Sequence, residues 1–150
     1  MVEPETAYII WHILSDEKAR LPAFGTNNYL TVAGKTIAAK TGTTDKIRDN
    51  FTMGFTPTYA VGVWVGNNDN TPLNQSLASG LSGAAPIWNE ITAVVLDDAE
   101  DEKMRKPDDI FVKYDEECSK SEIFAKGSRV PQHLCELDDD KDNGNGEEED

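Results

Sequence analysis

Several kinds of residue are scarce in this sequence, and each shortage excludes a class of protein. There is no run of about 18 apolar residues, so no segment is expected to span a bilayer as a helix. Lysine and arginine together number 14, against 28 aspartate and glutamate residues. Because phosphate groups and anionic lipid surfaces are bound through basic side chains, this balance argues against nucleic acid and membrane surfaces as partners.

Cysteine and histidine are also rare, with two residues of each type. Cys118 and Cys135 have no pair of histidines near them in the sequence, which makes a zinc site with cysteine ligands a poor interpretation. Their spacing alone is as compatible with two free thiols as with a disulfide. His12 and His133 have no partner in the sequence pattern and are expected to be structural rather than catalytic.

The two ends of the chain differ in character. The first residues, MVEPETAYII, lack the basic segment and apolar core of a signal peptide. Taken by itself, this predicts a soluble cytoplasmic protein, provided that the chain is complete. Toward the other end the acidic residues accumulate, and 20 of the 28 follow residue 96. Residues 136–150 have no apolar side chain after Leu137 and are expected to be a disordered acidic tail.

Apolar periodicity predicts an α+β domain over residues 1–98. Apolar residues recur at helical spacing over residues 4–19, and the following segment with Pro22 is expected to break that helix. Three strand-like runs come next, separated by short turns: residues 36–43, 50–57 and 59–66. Connections this short join only antiparallel neighbours, which indicates a three-stranded antiparallel meander. A second helix, packed on the meander, is predicted from Pro86.

Side-chain patterns within these elements predict which residues share a face. The third run places Val61, Val63 and Val65 on one face, and Ala60, Gly62 and Trp64 on the other. Small residues on the second face would let another element approach closely. The second helix carries an apolar stripe of Ile87, Trp88, Ile91, Val94 and Val95. Trp64 and Trp88 are expected to lie in the core.

Two further segments are predicted beyond the α+β domain. Residues 99–109 read as a charged linker, and residues 110–135 as a small cysteine-bearing segment. The cysteine-bearing segment has few apolar residues, so it would hardly fold without a cross-link.

A polar sequence, Lys40-Thr41-Gly42-Thr43, ends the first strand. Gly42 leaves room for a ligand backbone beside the strand, and Lys40 supplies a positive charge. The threonine hydroxyls are suited to binding a carboxylate, and a backbone N–H at the strand edge is suited to stabilising an oxyanion. The letters KTG also occur by chance where a strand runs out into a hairpin turn, so the motif alone leaves both interpretations open.

The surroundings of this motif resemble one protein family. AAKTGTT, RDNFTMGFTPTYAVGVWVGNNDNTP and SGAAPIWNEI are similar to the transpeptidase domain of class A penicillin-binding proteins, from its KTG box onward. The upstream stretch PETAYIIWHILSDEKARLPAFG is similar to the family segment before the box, so the resemblance covers residues 2–96. Within residues 107–135, FVKYDEECSKSEIFAKGSRVPQHLC resembles the cysteine-bearing C-terminal segment of some members.

The resemblance implies the penicillin-binding, β-lactamase-like transpeptidase fold and an enzyme that cross-links peptidoglycan without a cofactor. In this family a serine attacks a D-alanine carbonyl of a stem peptide, and β-lactams acylate the same serine. Lys40 corresponds by position to a lysine that supports the electrostatics and proton transfers of the site. Thr41, Gly42 and Thr43 correspond to the substrate-binding strand. There the threonines bind the carboxylate of substrate or drug, and the Thr43 N–H is an oxyanion-hole donor.

Two further motifs of the family are missing. Its Ser-x-x-Lys box supplies the nucleophile and its base, and its Ser-x-Asn box lies across the cleft. Ser-x-Asn does not occur in this sequence. One Ser-x-x-Lys match exists, from Ser15 to Lys18, but it encloses two acids at the predicted exposed end of a helix. A nucleophile of this type needs a buried helix N-terminus, so Ser15 is rejected.

These departures predict a C-terminal piece of a larger transpeptidase. The missing boxes and a membrane anchor would precede Met1, and the protein would face the periplasm or the cell exterior. In such a compartment a Cys118–Cys135 disulfide becomes the favoured pairing. The expected partners are stem peptides, β-lactams and the missing N-terminal part of the same protein.

Alone, the chain is expected to be catalytically inactive. Without its N-terminal part it would expose apolar surface or a sheet edge, and so be marginally stable or prone to aggregation. The alternative is a non-catalytic extracytoplasmic binding module that retains the fold.

Two other motifs fail on spacing. Gly34, Lys35 and Thr36 are similar to the end of a phosphate-binding loop, but Tyr29 stands where that loop needs a glycine. The acidic stretch DDDKDNGNGEEED would place Lys141 where a calcium loop needs a ligand oxygen.

Overall fold

The structure is a computed structural model that describes residues 2–26, 28–74 and 82–135. The described residues form two compact units. One lies within residues 10–105, and the other consists of residues 2–9 and 106–135. The tail that the sequence predicts to be disordered, residues 136–150, lies outside the described residues. Within the described part of the chain, no helix is both long enough and apolar enough to cross a membrane.

Two helices replace the single helix predicted over residues 4–19: α1, Pro4–Ser15, and α2, Glu17–Phe24. Asp16 separates them, because its carboxylate accepts hydrogen bonds from the backbone N–H groups of Lys18 and Ala19 at 2.9 and 3.1 Å. This N-cap starts a second helix at a point where the continuous apolar periodicity predicts a single uninterrupted helix. The helical pattern ends within the predicted segment, but not at Pro22, which lies inside α2. The helix ends at Phe24, and Gly25, with φ 72°, is its C-cap.

The three predicted strands form one antiparallel sheet in the order β1-β2-β3. Their bounds are Ala38–Thr43 for β1, Asp49–Phe55 for β2 and Ala60–Gly66 for β3. Helix α3, Ala84–Val95, follows. The predicted α+β architecture, a meander with a packing helix, is confirmed.

Helix α3 covers one face of the sheet through a close contact with β2. Asn50, Thr52 and Gly54 of β2 are buried, and they alternate with more exposed neighbours. A Cβ added to Gly54 would lie 2.3 Å from Cζ2 of Trp88, so only glycine fits beneath that indole ring. The Trp88 Nε1–H donates to the Val61 carbonyl at 3.0 Å. The core around this contact consists of buried apolar residues: Leu30, Val32, Ile37, Ala39, Ala85, Trp88 and Leu96.

The opposite face of the sheet is not covered by any described element, which corrects one prediction. Trp64 is 48% exposed instead of lying in the core, and its Nε1–H donates to Asp49 Oδ1 at 3.0 Å. Val61 and Val63 share a face, as the alternation predicts, and it is this face that α3 covers and that packs against the core. Gly62 accommodates a neighbouring side chain rather than a separate element, because a Cβ there would lie 2.6 Å from Met53 Sδ.

Most of the predicted apolar stripe of α3 is also exposed. Trp88 is buried, whereas the other four stripe residues are 40–78% exposed: Ile87, Ile91, Val94 and Val95. The remaining buried residues of α3 are Ala84, Ala85 and Thr92. A three-stranded sheet is narrow, so it covers only a thin line of the helix. The exposed apolar surface that the sequence predicts is therefore present on both the helix and the sheet.

The other unit contains the antiparallel hairpin of β4, Ile110–Asp115, and β5, Lys120–Ala125. Cys118 and Cys135 form a disulfide with their Cα atoms 5.6 Å apart. Asp115 is buried, and its carboxylate accepts hydrogen bonds from the N–H groups of Leu134 and Glu117. The hydrogen bond from the Leu134 N–H is the main reason that the pKa of Asp115 lies below its usual value.

Removing this disulfide is expected to destabilise the hairpin unit. In the chain-entropy model, closing a loop of this size stabilises the folded state by about 3 kcal/mol. The double variant Cys118→Ser/Cys135→Ser should therefore lose about that much free energy of unfolding. Hydrogen exchange of the β4 and β5 amides measures the effect, with the exposed Ser121→Ala substitution as the control. Unchanged amide protection in the double variant would show that the hairpin holds without the bond.

Candidate functional site

The KTGT sequence forms an edge strand. β1 pairs with β2 on one side, and no described strand pairs with its other side. The Thr44 N–H donates to the Asp49 carbonyl at 3.0 Å, toward β2. Because successive residues of a strand direct their backbone groups to opposite sides, the N–H groups of Thr41 and Thr43 point toward the open edge. This edge can accept an extended ligand backbone.

Lys40 brings a positive charge to the same edge. Its side chain is exposed, and Nζ donates to the Thr41 carbonyl at 2.8 Å. Among the described residues no carboxylate forms an ion pair with Lys40, so its charge is not neutralised within this part of the chain. The ammonium group and two backbone N–H groups are therefore available together to an anionic or polarised ligand.

Side chains of the motif divide between the two faces of the sheet. Lys40 and Gly42 lie opposite Met53 and Phe51 on the uncovered face. Thr41 and Thr43 belong to the face that α3 covers, although Thr43 at the strand end is exposed. The structure thus brings the lysine and the backbone of both threonines to one edge, and it directs the hydroxyls away from the lysine side chain.

Gly42 is not required by packing among the described residues. A Cβ added there would meet only the Phe51 Cβ, at 3.9 Å, which is an ordinary van der Waals contact. Its φ is not in the left-handed region that favours glycine. The position contrasts with Gly54, where the Trp88 ring leaves no room for a side chain.

Asn50 connects the motif to α3, and the sequence interpretation missed it. Asn50 is fully buried, its Nδ2 donates to Thr43 Oγ1 at 3.2 Å, and its Oδ1 accepts from the Ala84 N–H at 2.9 Å. The end of the KTGT strand is thereby held against the first turn of α3. The pairing of Asn50 with Thr43 is set by the register of β1 and β2, and the sequence alone carries no signal for it.

Ser15 has the surroundings of an ordinary helix terminus. It is the last residue of α1, and its Oγ donates to the His12 carbonyl at 3.3 Å. The Lys18 backbone N–H is bound by the Asp16 cap. The two acids between Ser15 and Lys18 thus belong to the start of α2, and this placement agrees with the rejection of Ser15 as a nucleophile.

Comparison with curated proteins finds penicillin-binding proteins. The chain is 35% identical to penicillin-binding protein 1A of Clostridium acetobutylicum over 91 residues, 61% of this chain and 10% of that protein. It is 27% identical to penicillin-binding protein 1A of Clostridium tetani over 140 residues, 92% of this chain and 16% of that protein. Penicillin-binding protein 1C of Escherichia coli is 31% identical over 90 residues, 60% of this chain and 11% of that protein. No family model matches the sequence.

A solved structure has the same fold. The crystal structure of penicillin-binding protein 1A from Haemophilus influenzae matches with a TM-score of 0.59 and 24% identity, over 65% of this chain and 16% of that chain. The similarity to class A penicillin-binding proteins that the sequence indicates is therefore confirmed, and it fits a fragment of their transpeptidase domain. The chain spans only 10–16% of the length of the relatives named above.

Proposed function

We propose that this chain is part of a peptidoglycan D,D-transpeptidase and supplies the KTG wall of its active site. The observation that carries the proposal is the open edge of β1, with the Lys40 ammonium and the Thr43 N–H beside it. An extended stem peptide can add to such an edge as a further strand. A β-lactam carbonyl placed there would meet the same N–H donor.

Each residue of the motif has a proposed role in this reaction. The Thr43 N–H stabilises the oxyanion that forms when a serine attacks the D-alanine carbonyl. Lys40 stabilises negative charge in the site and assists proton transfer, and Thr41 and Thr43 bind the substrate carboxylate. Gly42, whose side-chain space is not filled by the described residues, leaves room for the ligand backbone.

The nucleophile is proposed to come from another part of the same protein. A serine hydroxyl needs an adjacent base to react, and Ser15 donates its hydrogen bond to a main-chain carbonyl instead. The proposed protein is membrane-anchored and acts outside the cytoplasm, where the Cys118–Cys135 disulfide is stable. The alternative is a non-catalytic extracytoplasmic module that binds peptides along the same edge.

Intact mass spectrometry after incubation with benzylpenicillin tests the proposal. The 150-residue chain alone is expected to gain no covalent adduct, because it lacks an activated serine. A protein that also carries the upstream reading frame is expected to gain one penicilloyl group per molecule, on the serine of a Ser-x-x-Lys box. An adduct on the chain alone would contradict the assignment of the nucleophile. An upstream frame without Ser-x-x-Lys and Ser-x-Asn would favour the binding module.

A further inference from the structure

Three side chains from two parts of the sequence, Asp115 and Glu117 in one and His133 in the other, converge in the cysteine-bearing unit. The His133 Nδ1 atom lies 3.1 Å from Glu117 Oε2 and 3.7 Å from Asp115 Oδ2. One ligand atom from each of the three residues lies within 4.8 Å of the other two. Neither the proposed transpeptidase reaction nor the KTGT edge uses these groups.

The spacing of these atoms is suited to a metal ion. Two ligands about 2.0–2.2 Å from a tetrahedral zinc ion lie roughly 3.4 Å apart. The two His133 distances, 3.1 and 3.7 Å, fall on either side of that separation. The remaining pair, one carboxylate oxygen each from Asp115 and Glu117, lies within 4.8 Å, and rotation of the exposed Glu117 side chain would bring these two oxygens closer.

The surrounding structure holds one ligand firmly and leaves the others accessible. The Asp115 side chain is 6% exposed, and the N–H groups of Leu134 and Glu117 orient its carboxylate at 2.8 and 3.0 Å. The side chains of Glu117 and His133 are 73% and 40% exposed, so an ion can enter from solvent and retain water ligands. Backbone N–H donors around a coordinating carboxylate are the kind of outer contact that orients metal ligands.

The disulfide brings the ligand-bearing segments together. Glu117 directly precedes Cys118, and His133 lies two residues before Cys135. The bond between the two cysteines thus limits how far Glu117 and His133 can separate. Because the ligands are already assembled, binding an ion would require little ordering of the chain.

We propose that Asp115, Glu117 and His133 bind a divalent first-row transition-metal ion such as Zn²⁺. One imidazole nitrogen with two carboxylates suits zinc, cobalt or nickel, whereas calcium and magnesium prefer oxygen ligands alone. With three protein ligands the ion keeps at least one position for water or another ligand. The competing interpretation is an ion pair between protonated His133 and Glu117 with no affinity for metal.

Titration calorimetry of the full chain with Zn²⁺ tests the site. A millimolar excess of Ca²⁺ is included to occupy the many acidic side chains, and thiol reductants are left out to keep the disulfide. We expect one saturable Zn²⁺ ion per chain. His133→Gln and Glu117→Gln should each weaken binding by more than about tenfold, because even outer contacts of metal ligands contribute 10–100-fold to affinity. Glu116→Gln, which removes an equal charge outside the cluster, should leave the affinity unchanged.

Nuclear magnetic resonance of the side-chain nitrogens provides an independent readout. The Nδ1 signal of His133 should shift when Zn²⁺ is added, while the signals of His12 stay in place. The proposal would be overturned if the chain did not bind Zn²⁺ stoichiometrically in the presence of excess Ca²⁺. It would also be overturned if Glu116→Gln and Glu117→Gln lost affinity equally. Both test substitutions lie at solvent-accessible side chains, so they avoid the folding defect that loss of buried Asp115 would risk.

Discussion

Replacing Trp88 with alanine is expected to lower the free energy of unfolding by about 3–5 kcal/mol, the usual result of truncating a fully buried large aromatic residue. Trp88 is 0% exposed, packs its ring against Gly54, and donates to the Val61 carbonyl. Domains of this size have only about 5–15 kcal/mol of stability in total. This chain also exposes apolar side chains on α3 and on the sheet. We therefore expect Trp88→Ala to lose its cooperative urea transition, measured by far-ultraviolet circular dichroism.

Two other variants separate the causes of that loss. Ile87→Ala changes a neighbouring residue that is 46% exposed, and it should alter stability by no more than about 0.5 kcal/mol. Trp88→Phe keeps an aromatic ring but cannot donate to Val61, so it should fall between the other two. If Trp88→Ala were as stable as Ile87→Ala, the α3–β2 contact would not be the centre of the core.

Replacing Lys40 with alanine is expected to slow β-lactam acylation on the order of 10²–10³-fold in the longer transpeptidase that we propose, as removal of one preorganised electrostatic group does in other enzymes. The reason is that the Lys40 ammonium is the positive charge beside the open edge of β1. Stopped-flow acylation by a chromogenic β-lactam measures the rate. The fold should be unaffected, because the Lys40 side chain is exposed and, among the described residues, donates only to the neighbouring Thr41 carbonyl.

Matched lysine variants distinguish a site effect from a change in net charge. Lys103→Ala removes an exposed positive charge elsewhere and should acylate at the normal rate. Lys40→Arg keeps the charge but presents a planar group, so it should recover only part of the rate. Equal rates in Lys40→Ala and Lys103→Ala would contradict the proposed role of Lys40 and favour the non-catalytic alternative.

The sequence predicted those parts of the fold that depend on local patterns. Strand alternation is a property of consecutive residues, so the valine face of β3 and the antiparallel order of the three strands were predicted correctly. The KTGT sequence and its neighbours are contiguous, and they were sufficient to indicate the similarity to penicillin-binding proteins. The helix boundary at Asp16 was missed, because a capping side chain there competes with the apolar periodicity.

The predictions failed where burial depends on how many elements surround a residue. Trp64 and the stripe of α3 have the composition of core residues, yet they are exposed because, in the part of the chain that the structure describes, α3 alone packs on the narrow sheet. Asn50 could not be linked to Thr43 and Ala84 from the sequence, since that connection requires the strand register and the position of α3 together. Likewise, His133 meets Asp115 and Glu117 because the disulfide joins the segment that carries it to the turn between β4 and β5.

The sequence by itself thus determined the strand pattern, the family resemblance and the position of the KTGT motif, because each depends on residues close together in the chain. Only the tertiary structure decided that the motif lies on an open edge, that Lys40 reaches the backbone of that edge, and that Asn50 ties it to α3. These features depend on contacts between residues far apart in sequence. Such contacts follow from packing and backbone hydrogen bonding over the whole fold, and local composition does not specify them.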